Sequence, residues 1–268
     1  MNPLLKTAEL LYRGINRLRR ALYRRGVLRP KRLPRPVISV GSRAVGGSGK
    51  TPAVIAIANF LASRGLKVAV LTRGYGRTSA EQGVVTSNDA AKYGDEPVLI
   101  KASTTADIIV GADRYQNGAE HSCDVFLLDD GFQHLQLHRD VDVVIEADAR
   151  FLREGRSSLK DADIVIPRRL RVAPVDAKRV FAFAGLADNQ QFFRGLPNVV
   201  GTRSFRDHHR YTASDVAQIK KEARDAGADL IVTTEKDAVK INDRDIIPLR
   251  AEFVIEPEIL EKILRLIR

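Results

Sequence analysis

Residues 36–52 read PVISVGSRAVGGSGKTP. The short apolar run Val37 to Val40 predicts a strand, and it ends in a glycine-rich turn closed by Gly49-Lys50-Thr51. An apolar-periodic segment, Ala53 to Leu61, predicts a helix directly behind that turn. Strand, glycine loop and helix in this order aim successive backbone N–H groups and a helix N-terminus at one point. Lys50 then reaches the β/γ-phosphates of a nucleotide, and the Thr51 hydroxyl can ligate Mg²⁺. The strict pattern asks for glycine at position 44, where this chain carries Ala44. The flanking strand and helix still supply the context that the motif demands.

Working outward, Asp124 to Asp129 is an apolar strand that ends in two carboxylates, Asp129 and Asp130, followed by Gly131-Phe132-Gln133-His134. A carboxylate at a strand end opposite a phosphate loop is how such enzymes hold Mg²⁺. Between these signals, Leu66 to Leu71 predicts a buried strand running into Thr72-Arg73-Gly74-Tyr75-Gly76-Arg77. That places cationic side chains where open α/β sheets bind ligands. Tyr93-Gly94-Asp95-Glu96-Pro97 opens a helix, with Asp95 near its start. Asp107 to Val110 is a strand, and Gly111-Ala112-Asp113-Arg114 begins the next helix. Val141–Glu146 and Asp163–Pro167 are further strands. The alternation predicts a doubly wound, mostly parallel α/β sheet.

Beyond an Arg-rich connection at residues 168–177, a second, smaller α/β unit is expected, giving divisions at 1–35, 36–169 and 170–268. Its strands are Arg179–Ala184, Asn198–Ser204, Asp229–Thr233 and Ala251–Ile255, with helices over Thr212–Ala226 and from Pro257. Phe205-Arg206-Asp207-His208-His209-Arg210-Tyr211 holds two of the five histidines, candidates for proton chemistry.

The formal charge of +11 is concentrated in one place: residues 1–35 hold eleven basic side chains and one acidic one, Glu9. The remainder is close to neutral, so the body is not a nucleic-acid-binding surface. Leu4, Ala8, Leu11, Ile15, Leu18 and Leu22 form one stripe on a helix, and Lys6, Arg13, Arg17, Arg20 and Arg24 fall opposite. No apolar run is long enough for a secretory signal or a membrane span. This composition suits a helix lying in a membrane interface, with residues 1–25 against anionic lipid. The other reading packs the stripe on the protein's own core and leaves the basic face in water. The single cysteine, Cys123, excludes an internal disulfide framework and reads as a small buried hydrophobe.

Taken in order, SVGSRAVGGSGKTP, LTRGYGR, YGDEP, GADR, LLDDGFQH, FRDHHRY and VTTEKDAVK resemble the tetraacyldisaccharide 4′-kinases, the lipid A 4′-kinases, over residues 37–240. The resemblance implies transfer of the ATP γ-phosphate to the 4′-hydroxyl of a lipid-linked glucosamine disaccharide 1-phosphate. It implies Mg²⁺, a two-domain α/β architecture and peripheral attachment to the cytoplasmic face of the inner membrane, with no nucleic acid and no obligate protein partner evident. Carried over by position, Ala44, Val45, Gly46, Gly47, Ser48, Gly49, Lys50, Thr51 and Gln133 would meet ATP. Thr51, Asp129 and Asp130 would serve the metal. Arg73, Tyr75, Arg77 and Arg114 would meet substrate or phosphate. Asp95 would be the general base, with His208 orienting it or tuning its pKa, and Lys50 would act on the transferring group. This chain departs from the family in an abbreviated segment, Phe151 to Leu159. The alternative class is a regulatory phosphate-loop ATPase or GTPase of the partition-ATPase or metallochaperone type. Against it, Val45 stands where partition ATPases carry a second lysine, and Thr234-Glu235-Lys236-Asp237 is not the Asn-Lys-x-Asp run of guanine recognition.

Overall fold

The computed structural model describes residues 3–44, 47–147 and 152–268, and in its first helix the side chains from residue 12 onward. Val45 and Gly46, both expected at the nucleotide, lie outside the described residues, as do Phe151 and the side chains of Leu4, Lys6, Ala8 and Leu11.

Helix α1 (Pro3–Arg24) leads through an extended connector into β1 (Val37–Ser42) and α2 (Lys50–Ser63). The first body continues with β2 (Val68–Thr72), β3 (Gly83–Val84), α3 (Ala90–Tyr93), α4 (Asp95–Ser103), β4 (Asp107–Val110), α5 (Arg114–Ala119), β5 (Val125–Asp129), β6 (Val141–Glu146) and β7 (Ile164–Pro167). Its seven strands lie in the order β3-β4-β2-β5-β1-β6-β7 and are parallel except for the edge strand β3. β1, β2 and β5 are buried along their whole length. Such strands are covered on both faces, which is why they read as unbroken apolar runs. The register pairs Val40 with Asp129, so the exit of β1 into the glycine loop lies beside the carboxylate that ends β5. Gly41 permits this approach: a Cβ there would stand 2.5 Å from Cβ of Phe132.

The second body holds β9 (Val180–Ala184), α6 (Asn189–Arg194), β10 (Val199–Ser204), α7 (Ala213–Asp225), β11 (Leu230–Thr234), α8 (Glu235–Ala238) and β12 (Ile246–Leu249), after a short β8 (Leu170–Val172). Its sheet is parallel, in the order β10-β9-β11-β12. Thr212 and Asp215 close a reciprocal capping box at the start of α7. Sequence reading missed β12. Its Pro248 is tolerated because the strand is at the edge, where a missing N–H costs no ladder bond.

The chain then returns. β13 (Ala251–Phe253) pairs antiparallel with β8, and α9 (Pro257–Leu266) packs on the first body, where Ile263 and Leu264 join the core that holds Ile57 and Leu61. Each fully buried aliphatic side chain is worth roughly 1.5–3 kcal/mol of transfer free energy, enough to draw this amphipathic helix back across. We therefore propose that residues 251–268 belong with the first body, where the sequence placed them with the second.

Helix α1 departs in part from the expectation that its basic residues meet lipid: Arg17 and Arg24 are exposed, but Arg13 and Arg20 turn to the body. Arg20 is 4% exposed. It donates to Glu154 at 2.9 and 3.1 Å, to Asp161 at 3.1 Å and to the Phe132 carbonyl at 2.8 Å, and lies over the Phe132 ring. Arg13 donates to the Leu152 carbonyl, and Asn16 to that of Arg153. A buried charge is stable only when paired and hydrogen-bonded, and Arg20 meets both conditions. The apolar side is left outside: Ile15 is 53% exposed and Leu18 62%. The alternative packing of the stripe on the core is therefore not found for these residues. Among the described residues, no helix is long and apolar enough to cross a membrane.

Candidate active site

The loop between β1 and α2 curls through Gly47 and Gly49, at φ 58° and 80°, a region closed to most side chains. Ala44 is not among the positive-φ residues, so a methyl group is tolerated where the strict motif has glycine. Lys50 opens α2. Its ammonium donates to Ser48 Oγ at 3.1 Å and stands 3.6 Å from Asp130. Thr51 follows it on the same first turn.

Asp129 accepts from the Thr72 hydroxyl at 2.9 Å. Burial first, then the charges of Glu96 and Asp130, push its carboxyl up to about 7. A carboxylate raised in this way gains strongly from a neighbouring cation. No set of three or more His, Cys, Asp or Glu among the described residues could enclose a metal. A single buried carboxylate such as Asp129 suits Mg²⁺ instead, an ion that takes one or two protein oxygens and fills its remaining positions with phosphate and water.

Asp130, also expected at the metal, is engaged by Arg153. It sits at φ 50°, rare for a side-chain-bearing residue, and both its oxygens accept from one Arg153 nitrogen, at 3.0 and 2.8 Å. Burial would raise its pKa, but the charges of Lys50 and Arg153 outweigh burial and hold it below the usual carboxylate range. Gln133, expected at ATP, spends its amide on structure: it donates to the Ser42 carbonyl at 3.1 Å and accepts from Arg153 at 3.2 Å. Arg114 is buried, feels the charges of Asp129 and Asp130, and has an Nε without a hydrogen-bond partner. Such a donor is a ready place for a phosphate oxygen. Arg73 is close enough for its charge to act on Arg114, whereas Arg77 donates to the Glu81 carbonyl. Tyr75 is exposed, its ring 5.1 Å from that of His208.

The proton end is assembled across the two bodies. Asp95 begins α4, and His208 lies 113 positions later, after β10. His208 Nδ1 is 3.1 Å from both Asp95 oxygens. His208 has φ 57°, so two of the three side-chain-bearing residues with positive φ among those described, Asp130 and His208, are predicted site residues. Burial pushes Asp95 up, but the His208 hydrogen bond and the charges of Lys236, His208 and Lys240 prevail and lower it. The histidine thus does not strengthen Asp95 as a base, since hydrogen bonds to a carboxylate favour its ionised form. In return the Asp95 hydrogen bond raises His208, against burial and the Lys236 charge.

Sequence reasoning missed three members of the site. Lys236 Nζ stands 3.1 Å from His208 Nε2, 3.3 Å from Asp207 and 3.5 Å from Glu96. Lys240 stands 3.6 Å from Asp95 and 2.9 Å from the fully buried Asp237. Both lie in VTTEKDAVK, a stretch recognised for its resemblance but given no chemistry. Arg153 lies in the abbreviated segment, where no local pattern marks it.

The sequence profile of the tetraacyldisaccharide-1-P 4′-kinases matches residues 1–173 and 156–268. A tetraacyldisaccharide 4′-kinase of Pelobacter propionicus is 37% identical over 89% of this chain and 82% of its own length. That of Geobacter metallireducens is also 37% identical, over 89% and 88%. A crystal structure of LpxK from Aquifex aeolicus in complex with ATP superposes with a TM-score of 0.76 at 28% identity, covering 98% of both chains.

Proposed function

The chain belongs to the tetraacyldisaccharide 4′-kinase family, and from that premise we propose how its residues divide the reaction. It is an ATP-dependent kinase of lipid A biosynthesis that phosphorylates the 4′-hydroxyl of a tetraacyldisaccharide 1-phosphate. Phosphoryl transfer asks little covalent chemistry of a protein: it needs charge neutralisation, in-line positioning and an acceptor for the hydroxyl proton. In our reading, Lys50 and the amides of the Gly47–Gly49 turn hold the phosphates. Arg114 offers its unpartnered Nε to a phosphate oxygen, with Arg73 at the rim. Thr51 and Asp129 would hold Mg²⁺, which would supply charge neutralisation at the phosphates. Asp130, fixed by Arg153, sets where the Lys50 ammonium rests until a phosphate draws it away.

Asp95 takes the 4′-hydroxyl proton as the oxygen bonds to the γ-phosphorus and the bond to ADP breaks. Three cationic or donor neighbours keep it ionised and aimed, so it works through position more than through basicity. The observation that carries this reading is the meeting of the two ends: the loop after β2 starts at Thr72, which donates to Asp129 at 2.9 Å, and passes so close to Gly94, next to Asp95, that a Cβ there would stand 2.9 Å from the Tyr75 carbonyl. Mass spectrometry of the disaccharide lipid incubated with enzyme and Mg-ATP tests it. A product heavier by one phosphate, absent with Lys50→Ala, is the expected result.

The acylated substrate resides in a bilayer, and the outward Tyr12, Ile15 and Leu18 of α1 support peripheral binding there. Arg17 and Arg24 remain exposed for anionic head groups, while Arg13 and Arg20 hold the helix to the body. The cytoplasmic face of the inner membrane is the matching location in this reading.

A further inference from the structure

Beyond the charge it lends to Asp95, Lys236 closes the far side of His208. An ammonium has three N–H donors and no acceptor, while a neutral imidazole has one donor nitrogen and one acceptor nitrogen. When His208 is neutral, a distance of 3.1 Å from Lys236 Nζ makes its Nε2 the acceptor nitrogen. Its proton is then on Nδ1, the nitrogen that faces Asp95. We propose that Lys236 is a positioning residue for the phosphoryl transfer: by occupying His208 Nε2 it fixes the imidazole in the Nδ1–H tautomer and so aims a donor at Asp95. The inference rests on the reading of Asp95 as the proton acceptor, and it assigns the roles within the pair. His208 has no free nitrogen lone pair while Lys236 is in place, so it cannot receive the substrate proton, and Asp95 must.

The surroundings support the arrangement. Lys236 is held charged: burial lowers its pKa, but Glu96, Asp95 and Asp207 raise it further. Those carboxylates come from α4 and from the histidine's own loop, so the ammonium is anchored on both bodies. The other groups facing His208 do not compete for Nε2 at hydrogen-bond distance. Lys240 turns to Asp95 and Asp237, the Tyr75 ring packs on the imidazole, and Asp207 is 3.7 Å away. Lys236 is the second residue of α8, two positions after the Thr234 cap, which fixes the origin of its side chain.

The test is the histidine tautomer, read by long-range ¹H–¹⁵N correlation on full-length protein labelled with ¹⁵N-histidine, at a pH above the histidine titration. The His208 signals are identified by their loss in His208→Gln. We expect a pyrrole-type Nδ1 and a pyridine-type Nε2 in the wild type. Lys236→Met should move His208 toward the Nε2–H tautomer and lower kcat roughly tenfold with little change in KM, as loss of a positioning contact does. Lys236→Gln, whose amide can still donate to Nε2, should restore the tautomer and much of kcat. Glu96→Gln loosens the tie between the bodies but should leave the tautomer alone, which separates positioning from bridging. An Nε2–H tautomer in the wild type, or an unchanged tautomer in Lys236→Met, would overturn the inference. The reading of Asp95 stands or falls separately, on turnover of Asp95→Asn.

Discussion

Lys50, Asp129 and Asp130 stand at the carboxyl ends of adjacent strands in one sheet, tied by the Val40–Asp129 register. Asp95 and His208 come from two bodies and meet only where α4 faces the loop after β10. The phosphate end thus lies along one edge of a single sheet, and it persists wherever the first sheet is folded. The proton end exists only while the two bodies keep their relation. Its polar side chains, Asp95, Glu96, Asp207, His208, Lys236 and Lys240, form a network that bridges them. An enzyme built this way can bind nucleotide with one part and complete its catalytic group with the other.

The sharpest test of the phosphate end is Lys50→Ala. Removing a cation that travels with the transferring phosphoryl group should cost on the order of 10³-fold or more in turnover. The Asp95–His208 contact should survive, seen as an unchanged His208 signal in the same NMR spectrum. Near-normal turnover would mean that the loop is not where chemistry happens.

The two ends also differed in how far they could be read. A phosphate loop is a run of neighbours, and glycines, Lys50 and Thr51 announce it locally; so do the paired carboxylates after β5. His208 and Asp95 are separated by 113 positions, and only the resemblance joined them before the fold did. Arg153 and Lys236 were illegible because an arginine or lysine in a polar stretch looks like solvated surface until its partners are known. The inward turn of Arg20 was not legible because a basic side chain on a surface helix normally seeks water or lipid. Here Glu154 and Asp161, more than 130 positions away, take it inward.

At the proton end, Asp95→Ala and His208→Ala should each lower turnover by roughly 10²-fold or more, the usual cost of losing a general base or its partner. The double variant should lose less than the product of the two, because one unit is removed twice. Strict multiplicativity would break the pairing. pH offers a second reading. Asp95 is held below its ordinary 3.8, so its share of stability is complete above that value and is lost as pH falls through the lowered one. The stability difference between wild type and Asp95→Asn should therefore grow as pH falls through the His208 titration, because Asp95 raises that histidine, stay level below it to about 4, and close only in stronger acid. Closure at higher pH would mean that the carboxylate is not held ionised.

Arg20 tests whether the phosphate end is as self-contained as its sheet suggests. The strand of chain carrying Arg153 is gripped by α1 through Asn16 and Arg20. Arg20→Met leaves Glu154 buried without its partner, a loss of about 3–5 kcal/mol in stability. Through Arg153 and Asp130 it should also raise the KM for ATP severalfold, while the His208 tautomer stays put. An unchanged KM in a protein that is destabilised but folded would show that α1 only braces the body.

The smallest effect should come from the outward face of α1, which touches neither end. Leu18→Glu replaces an exposed leucine with a charge and breaks no contact described for the body, so thermal stability and ATP binding should hold. Its cost falls on partition into vesicles, where losing one apolar side chain is worth about 1–2 kcal/mol, roughly tenfold in affinity. Salt should matter only moderately. Arg13 and Arg20 are committed to the protein, and the exposed Arg17 and Arg24 contribute roughly 1 kcal/mol each near an anionic surface. Co-sedimentation with anionic vesicles at low and high salt, run on wild type, Leu18→Glu and Arg17→Gln, separates these contributions. A Leu18→Glu protein that binds as the wild type does would exclude this face from the interface. A steep salt dependence, erased by Arg17→Gln alone, would return the main role to charge.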